Sequence, residues 1–144
     1  MKFKTILFFL ALTLFICACS TLQNTKTGNS LSNAIWELEY ISGSRIAFDG
    51  LYPNKKPKIT FNTKTNGVSG TSGCNGYSAK YTSNGKTISF GHPGPTTMMF
   101  CEGGGEQTFL KMIEKVDNYS IDSDGKLILN NGEVLIMRFK KSSK

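Results

Sequence analysis

The sequence predicts a mainly β (α+β) domain, an antiparallel meander with one α-helix. Three observations carry that reading. Short runs alternate apolar and polar side chains with the period of two that marks a half-buried strand. Asn-Gly and Asp-Gly pairs separate several of the runs, and such pairs make the tight turns of hairpins. One stretch, Glu106 to about Val116, shifts to the helical period.

Taken in order, Ile35 to Ile41 places Trp36, Leu38 and Tyr40 on one face and Glu37 and Glu39 on the other, and Ser42-Gly43 ends it. Arg45-Ile46-Ala47-Phe48 reads as a short second strand before a loop holding Pro53 and Pro57, whose missing N–H groups oppose continued pairing. Lys58 to Asn62 resumes the alternation, and Thr65-Asn66-Gly67 turns it back into Val68-Ser69-Gly70. A glycine-rich stretch, Gly70 to Gly76, then feeds a strand in which Tyr77, Ala79 and Tyr81 share a face, and Asn84-Gly85 turns into Lys86 to Phe90. Gly91-His92-Pro93-Gly94-Pro95 breaks the pattern, and Thr96 to Cys101 leads into Gly103-Gly104-Gly105, read as a flexible connector.

In the helix, Phe109, Ile113 and Val116, with Leu110 and Met112 beside them, form an apolar stripe suited to covering one face or mouth of a sheet. Glu106 lies in its first turn, where a carboxylate suits the positive end of the dipole. Tyr119-Ser120-Ile121, Lys126 to Leu129 and Val134 to Phe139 follow as strands joined through Asp124-Gly125 and Asn131-Gly132. Leu135, Met137 and Phe139 face one way and Val134, Ile136 and Arg138 the other, which predicts burial on most of both sides.

Upstream of the domain, Met1-Lys2-Phe3-Lys4 is a basic head followed by the apolar run Ile6 to Ile16. That run is far shorter than the roughly 20 residues of a spanning helix, so residues 1–18 read as a signal peptide. Ile16-Cys17-Ala18-Cys19 resembles the lipobox of bacterial lipoproteins, in which a small residue precedes the cysteine that takes a diacylglyceryl thioether and becomes the new N-terminus. Cys19 is therefore the expected lipidation site, since acylation at Cys17 would put the bulky Ile16 at the cleaved bond. Two or three acyl chains hold a protein on a membrane where one is marginal. The expectation is a protein anchored in the cell envelope, its domain outside the cytoplasm, with residues 19–32 as lipidated cysteine and flexible tether and 33–144 as the folded domain. An ordinary secretory signal with incidental cysteines is the alternative.

The full chain has 17 basic and 10 acidic residues for a formal charge of +7, and removal of Lys2 and Lys4 lowers it to +5. The basic clusters Lys55-Lys56-Lys58 and Lys140-Lys141-Lys144 are not interleaved with the aromatic residues that single-strand binders need, so no nucleic-acid partner is expected. With Cys19 acylated, Cys74 and Cys101 remain as an even pair in an oxidising compartment, and a disulfide between them is expected; two buried free thiols are the alternative. Zinc is not expected, because His92 is the only histidine and no CxxC spacing occurs. No cofactor motif stands out, since Gly103-Gly104-Gly105 lacks the Lys-Ser or Lys-Thr of a P-loop.

Val68-Ser69-Gly70-x-x-Gly73-Cys74-Asn75-x-Tyr77-x-x-x-Tyr81, with Trp36-x-Leu38 ahead of it, resembles the Gly-Cys-Asn signature of the META domain, the module of HslJ-like envelope lipoproteins. Thr97-x-Met99-x-Cys101 resembles its second motif, and Glu106 with Phe109-Leu110 the start of its helix. Ala79 stands where glycine is expected in many members, and Phe100 where a small residue precedes the second cysteine. The resemblance implies a compact, strongly curved antiparallel sheet or partial barrel with one α-helix, an envelope location and a role in stress tolerance.

Read together, these features predict a non-catalytic, monomeric envelope lipoprotein that contacts membrane lipid through its anchor and acts by touching another envelope protein. A carrier or pilot is the alternative, holding an acyl chain or hydrophobic peptide in a groove between the sheet and the Phe109/Ile113 helix. A hydrolase would need a polar cleft gathering His92, Glu102 or Glu106, the two glutamates being four residues apart as an acid and base pair would allow, although a loop end followed by a helix start also explains both.

Overall fold

The structure, a computed structural model, describes residues 31, 32 and 34–142. The expected signal peptide, Cys17, the lipidation site Cys19 and nearly all of the tether lie outside the described residues. Eight antiparallel strands follow one another in sequence order and close into a barrel: β1 (Ile35–Ile41), β2 (Lys58–Asn62), β3 (Gly67–Thr71), β4 (Gly76–Asn84), β5 (Thr87–Phe90), β6 (Asn118–Ile121), β7 (Leu127–Asn131) and β8 (Val134–Ser142). The curved sheet expected from the sequence is thus a complete barrel, with β8 pairing back onto β1 through Ile35 and Ser142 at one end and Ile41 and Met137 at the other. Closure leaves no open sheet edge, the usual hazard of an antiparallel meander. The seam between β5 and β6 is the thinnest, with one ladder pair, Thr87 opposite Asn118, and flanking bonds from Ile88 N–H to Asp117 and Tyr119 N–H to Lys86.

Inward side chains of every strand fill the interior, Trp36, Leu38, Ile59, Leu127, Leu129, Met137 and Phe139 being essentially inaccessible. Helix α2 (Gly105–Ile113) caps this core with Phe109, Met112 and Ile113. It ends at Ile113, earlier than its apolar stripe suggests, and Val116 reaches the core from the turn beyond it. Among the described residues no helix is long and apolar enough to cross a membrane.

Four local expectations are corrected. Arg45 to Phe48 forms no strand; the chain instead makes a one-turn helix, α1 (Phe48–Leu51), that buries Leu51 and hands on to Tyr52. Tyr40 does not share a face with Trp36 and Leu38, because a bulge at Glu39 shifts the register against β8, turning Tyr40 out and Ile41 in. A second irregularity, between the pairs Leu129–Met137 and Asn130–Leu135, buries both Ile136 and Met137 as two-sided burial predicts, but Val134 at the start of the strand is 64 % exposed. Finally, Gly103-Gly104-Gly105 is no slack connector: Glu102–Gly104 forms a 3-10 turn, and a Cβ on Gly105 would collide with the Leu51 carbonyl oxygen and stand 2.6 Å from the Tyr52 ring.

The packed body begins slightly ahead of β1. Leu31 is 2 % exposed and its carbonyl accepts the Trp36 indole N–H at 3.1 Å, while Ser32 bridges to Phe61. On the outer wall, Glu37 meets Lys58 at 2.8 Å and Lys140 at 3.4 Å, and Glu39 meets Lys126 at 2.8 Å and Arg138 at 2.6 Å. Hydrogen bonds from Lys58 and Lys126, respectively, hold these two carboxyls below their ordinary range.

Candidate functional site

The two signature segments meet at the end of the barrel from which the β3–β4 turn and the chain entering α2 both emerge. Residues 72–75 make the turn between β3 and β4. Gly73 has φ +106 there and lies against the Tyr52 ring, which a Cβ would approach to 2.9 Å. Tyr52 also donates its hydroxyl to the Gly105 carbonyl at 2.8 Å, so one ring wedges between the turn and the start of α2. Burial pushes its phenol well above the ordinary range.

Opposite the turn, residues 91–101 run alongside the first half of β4 without regular ladder bonds. Pro93 and Pro95 lack the N–H groups a ladder needs. The segment is held point by point: Gly91 N–H to the Lys80 carbonyl, Gly94 N–H to that of Ser78, and the Thr96 hydroxyl to that of Gly76. Cys101 then bonds to Cys74 in a disulfide with Cα atoms 6.0 Å apart.

Asn75, 4 % exposed, organises what lies beneath. Its Oδ1 accepts from the Thr97 hydroxyl and the Met99 N–H, both at 2.9 Å. Its Nδ2 donates to the Met99 carbonyl at 3.1 Å and to Glu106 Oε2 at 2.8 Å. Ser72, wholly buried, donates its hydroxyl to Glu106 Oε1 at 2.6 Å, and Glu106 Oε2 stands 3.3 Å from Cys101 Sγ. A buried amide with both ends engaged is fully satisfied, and that favours a structural role over ligand recognition.

Each signature residue therefore has a place in one construction. Gly73 shapes the turn, Cys74 and Cys101 staple it, Thr97 and Met99 receive Asn75, and Tyr77 packs edge-on against Phe109 with centroids 5.3 Å apart. Tyr77 and Tyr81 are core residues and form no exposed stacking platform. Ligand atoms of Cys74, Cys101 and Glu106 lie within 4.8 Å of one another, but both sulfurs are consumed by the S–S bond, so the trio offers a metal no thiolate.

Of the residues named for a hydrolase, His92 lies apart from the two glutamates. His92 has a 99 % exposed side chain whose nearest carboxylate is Glu114 at 4.0 Å, and it borders a hollow with Asn62, Thr65 and Lys80. Glu102 and Glu106 instead line a different hollow of about 500 Å³ beside the disulfide. The stripe of α2 is not open to cargo either, Phe109 and Ile113 being packed shut against the barrel.

A family model of the META domain matches residues 29–144. The chain belongs to the META domain family. Its barrel is similar to the NMR structure of a protein from Burkholderia xenovorans, with 25 % sequence identity, a TM-score of 0.58, and coverage of 79 % of this chain and 85 % of that one. It is also similar in fold to the crystal structure of a DUF4847 family protein from Bacteroides vulgatus, at 15 % identity and a TM-score of 0.52, covering 78 % of this chain and 96 % of that one. No curated protein matches the chain.

Sequence reasoning did not find Ser72 or Tyr52 as members of this META site, and it read Glu106 as a helix-dipole carboxylate, as the start of the family's helix and as a candidate acid or base, but not as the partner of Ser72 and Asn75. What it also missed is the surface the site carries: Met98 is 95 %, Met99 58 % and Phe100 90 % exposed. Phe100, the departure from the family pattern, touches no core and so costs the packing nothing.

Proposed function

We propose that this META domain is a non-catalytic, lipid-anchored module of the bacterial envelope that supports stress tolerance by binding another envelope protein through the Met98–Phe100 tip. One observation carries the proposal: a disulfide, a buried asparagine and two prolines hold in place a segment whose apolar side chains face water. Exposed apolar groups cost solubility and mark contact surfaces when clustered. A partner with an apolar cleft is the occupant chosen over the bilayer because of polarity. The chain comes into the barrel at Leu31, beside Phe61 and the β2–β3 turn, whereas the tip hangs past the β3–β4 turn at the other end of β3. With an anchor at Cys19, the chain would enter the barrel at the end opposite the tip, which leaves the tip free for a protein partner.

Three measurements test this. A photo-crosslinking residue replacing Phe100 in cells is expected to give one discrete protein adduct that Met98→Asp abolishes; adducts that are diffuse, or unchanged by Met98→Asp, overturn the contact. The mass of the mature N-terminus is expected to carry an acyl modification on Cys19 that Cys19→Ser removes, and an unmodified N-terminus overturns the anchor. Loss of the gene is expected to sensitise cells to heat or envelope-active antibiotics.

A further inference from the structure

The Cys74–Cys101 disulfide is half-buried and forms part of the wall of the open 500 Å³ hollow, where a small thiol has room to reach it. The Glu106 carboxylate stands 3.3 Å from Cys101 Sγ. Donors at 2.6 Å from Ser72 and 2.8 Å from Asn75 grip both of its oxygens, so it cannot swing aside. Glu102 lines the same hollow, with Lys55 as a cation on its rim.

We propose that Glu106 guards this disulfide, suppressing thiol–disulfide exchange and excluding anionic thiols above all. Exchange begins when a thiolate attacks one sulfur in line with the S–S bond; a bond forms to the incoming sulfur, the S–S bond breaks, and the other cysteine leaves as a thiolate that takes a proton from water. A second thiolate then releases the oxidised thiol dimer and leaves both cysteines reduced. Attack at Cys101 brings the incoming anion to a sulfur that Glu106 Oε2 flanks at 3.3 Å. Attack at Cys74 instead expels the negative charge onto Cys101 Sγ, 3.3 Å from the same oxygen; the Asn75 Nδ2, also at 3.3 Å, is a neutral donor already engaged by Glu106 and the Met99 carbonyl and does not offset the full charge. Both routes place a second negative charge next to a fixed one, and a negative group elsewhere on the thiol adds to the repulsion within the hollow. The carboxylate that completes the hydrogen bonding of Ser72 and Asn75 thus also shields the staple from reducing thiols, most strongly from those that carry a charge of its own sign.

The test is the rate of disulfide reduction in the full chain, read by mass spectrometry after alkylation, using cysteamine as a cationic thiol and mercaptoethanesulfonate as an anionic one at matched thiolate concentration. The anionic thiol is expected to react about tenfold more slowly, the scale of Coulomb repulsion across a few ångströms in a medium between water and protein interior. Glu106→Gln is expected to lose the discrimination. Ser72→Ala, which loosens the same network but keeps the charge, is expected to retain it. Equal rates in the wild type, discrimination surviving in Glu106→Gln, or its loss in Ser72→Ala would each overturn the proposal. Should Glu106→Gln not fold, salt decides: at about 1 M, where screening acts over about 3 Å, the wild-type discrimination must shrink, and its persistence rejects a charge-based guard.

Discussion

Asn75 clasps the backbone of Met99 at both ends, its Oδ1 taking the N–H at 2.9 Å and its Nδ2 reaching the carbonyl at 3.1 Å. One side chain thereby does for residues 97–101 what a neighbouring strand would otherwise do.

Asn75→Ala should therefore act well beyond its own turn. It removes the partner of the Thr97 hydroxyl, of both polar groups of the exposed Met99 and of one oxygen of the half-buried Glu106, and each protein hydrogen bond lost costs about 0.5–1.5 kcal/mol. A loss of about 2–4 kcal/mol is expected in urea unfolding. Asn75→Asp should do no better, since it replaces a donor to Glu106 with a second carboxylate.

Tyr77 predicts the opposite outcome. Its hydroxyl is buried with no partner among the described residues, and burial raises its phenol far above the ordinary range. Tyr77→Phe removes an unpaired group while keeping the edge-on contact with Phe109. Stability should be unchanged or higher, by up to about 1 kcal/mol, in thermal unfolding.

The ion pairs on the outer wall make stability depend on acid. Glu37 and Glu39 titrate below their ordinary value of 4.5 in the folded barrel. Their contribution is fully present above the unfolded value and disappears as pH falls through the lower folded values. Glu39→Gln should cost stability near neutral pH and progressively less below about pH 4, where the wild-type carboxyls are also protonated. A gap between the two proteins that stayed constant from about pH 6 to about pH 3 would contradict that linkage.

The strands were legible because most have one wet face, so Lys58 to Asn62 or Thr87 to Phe90 print their burial directly as alternation. The bulges were not. Nothing local marks Glu39 or Ile136, and their registers are set by closing β1 onto β8 and β7 onto β8. Helix α1 was misread as a strand because what fixes it, Tyr52 wedged against Gly73 and Gly105, lies far along the chain. The Gly-Cys-Asn turn announced itself, and an even cysteine pair suggested the staple. The partners of Asn75 and the tie between Ser72 and Glu106 were invisible, since each joins residues more than twenty positions apart.

Closure through Ile35 and Ser142 also sets the two limits of the folded body side by side. A short linker between them, with new termini opened at the exposed Asn131-Gly132 turn, would rearrange the order of the chain while leaving the stapled tip untouched. Such a circular permutant would display Met98 and Phe100 on a body whose free ends had moved elsewhere.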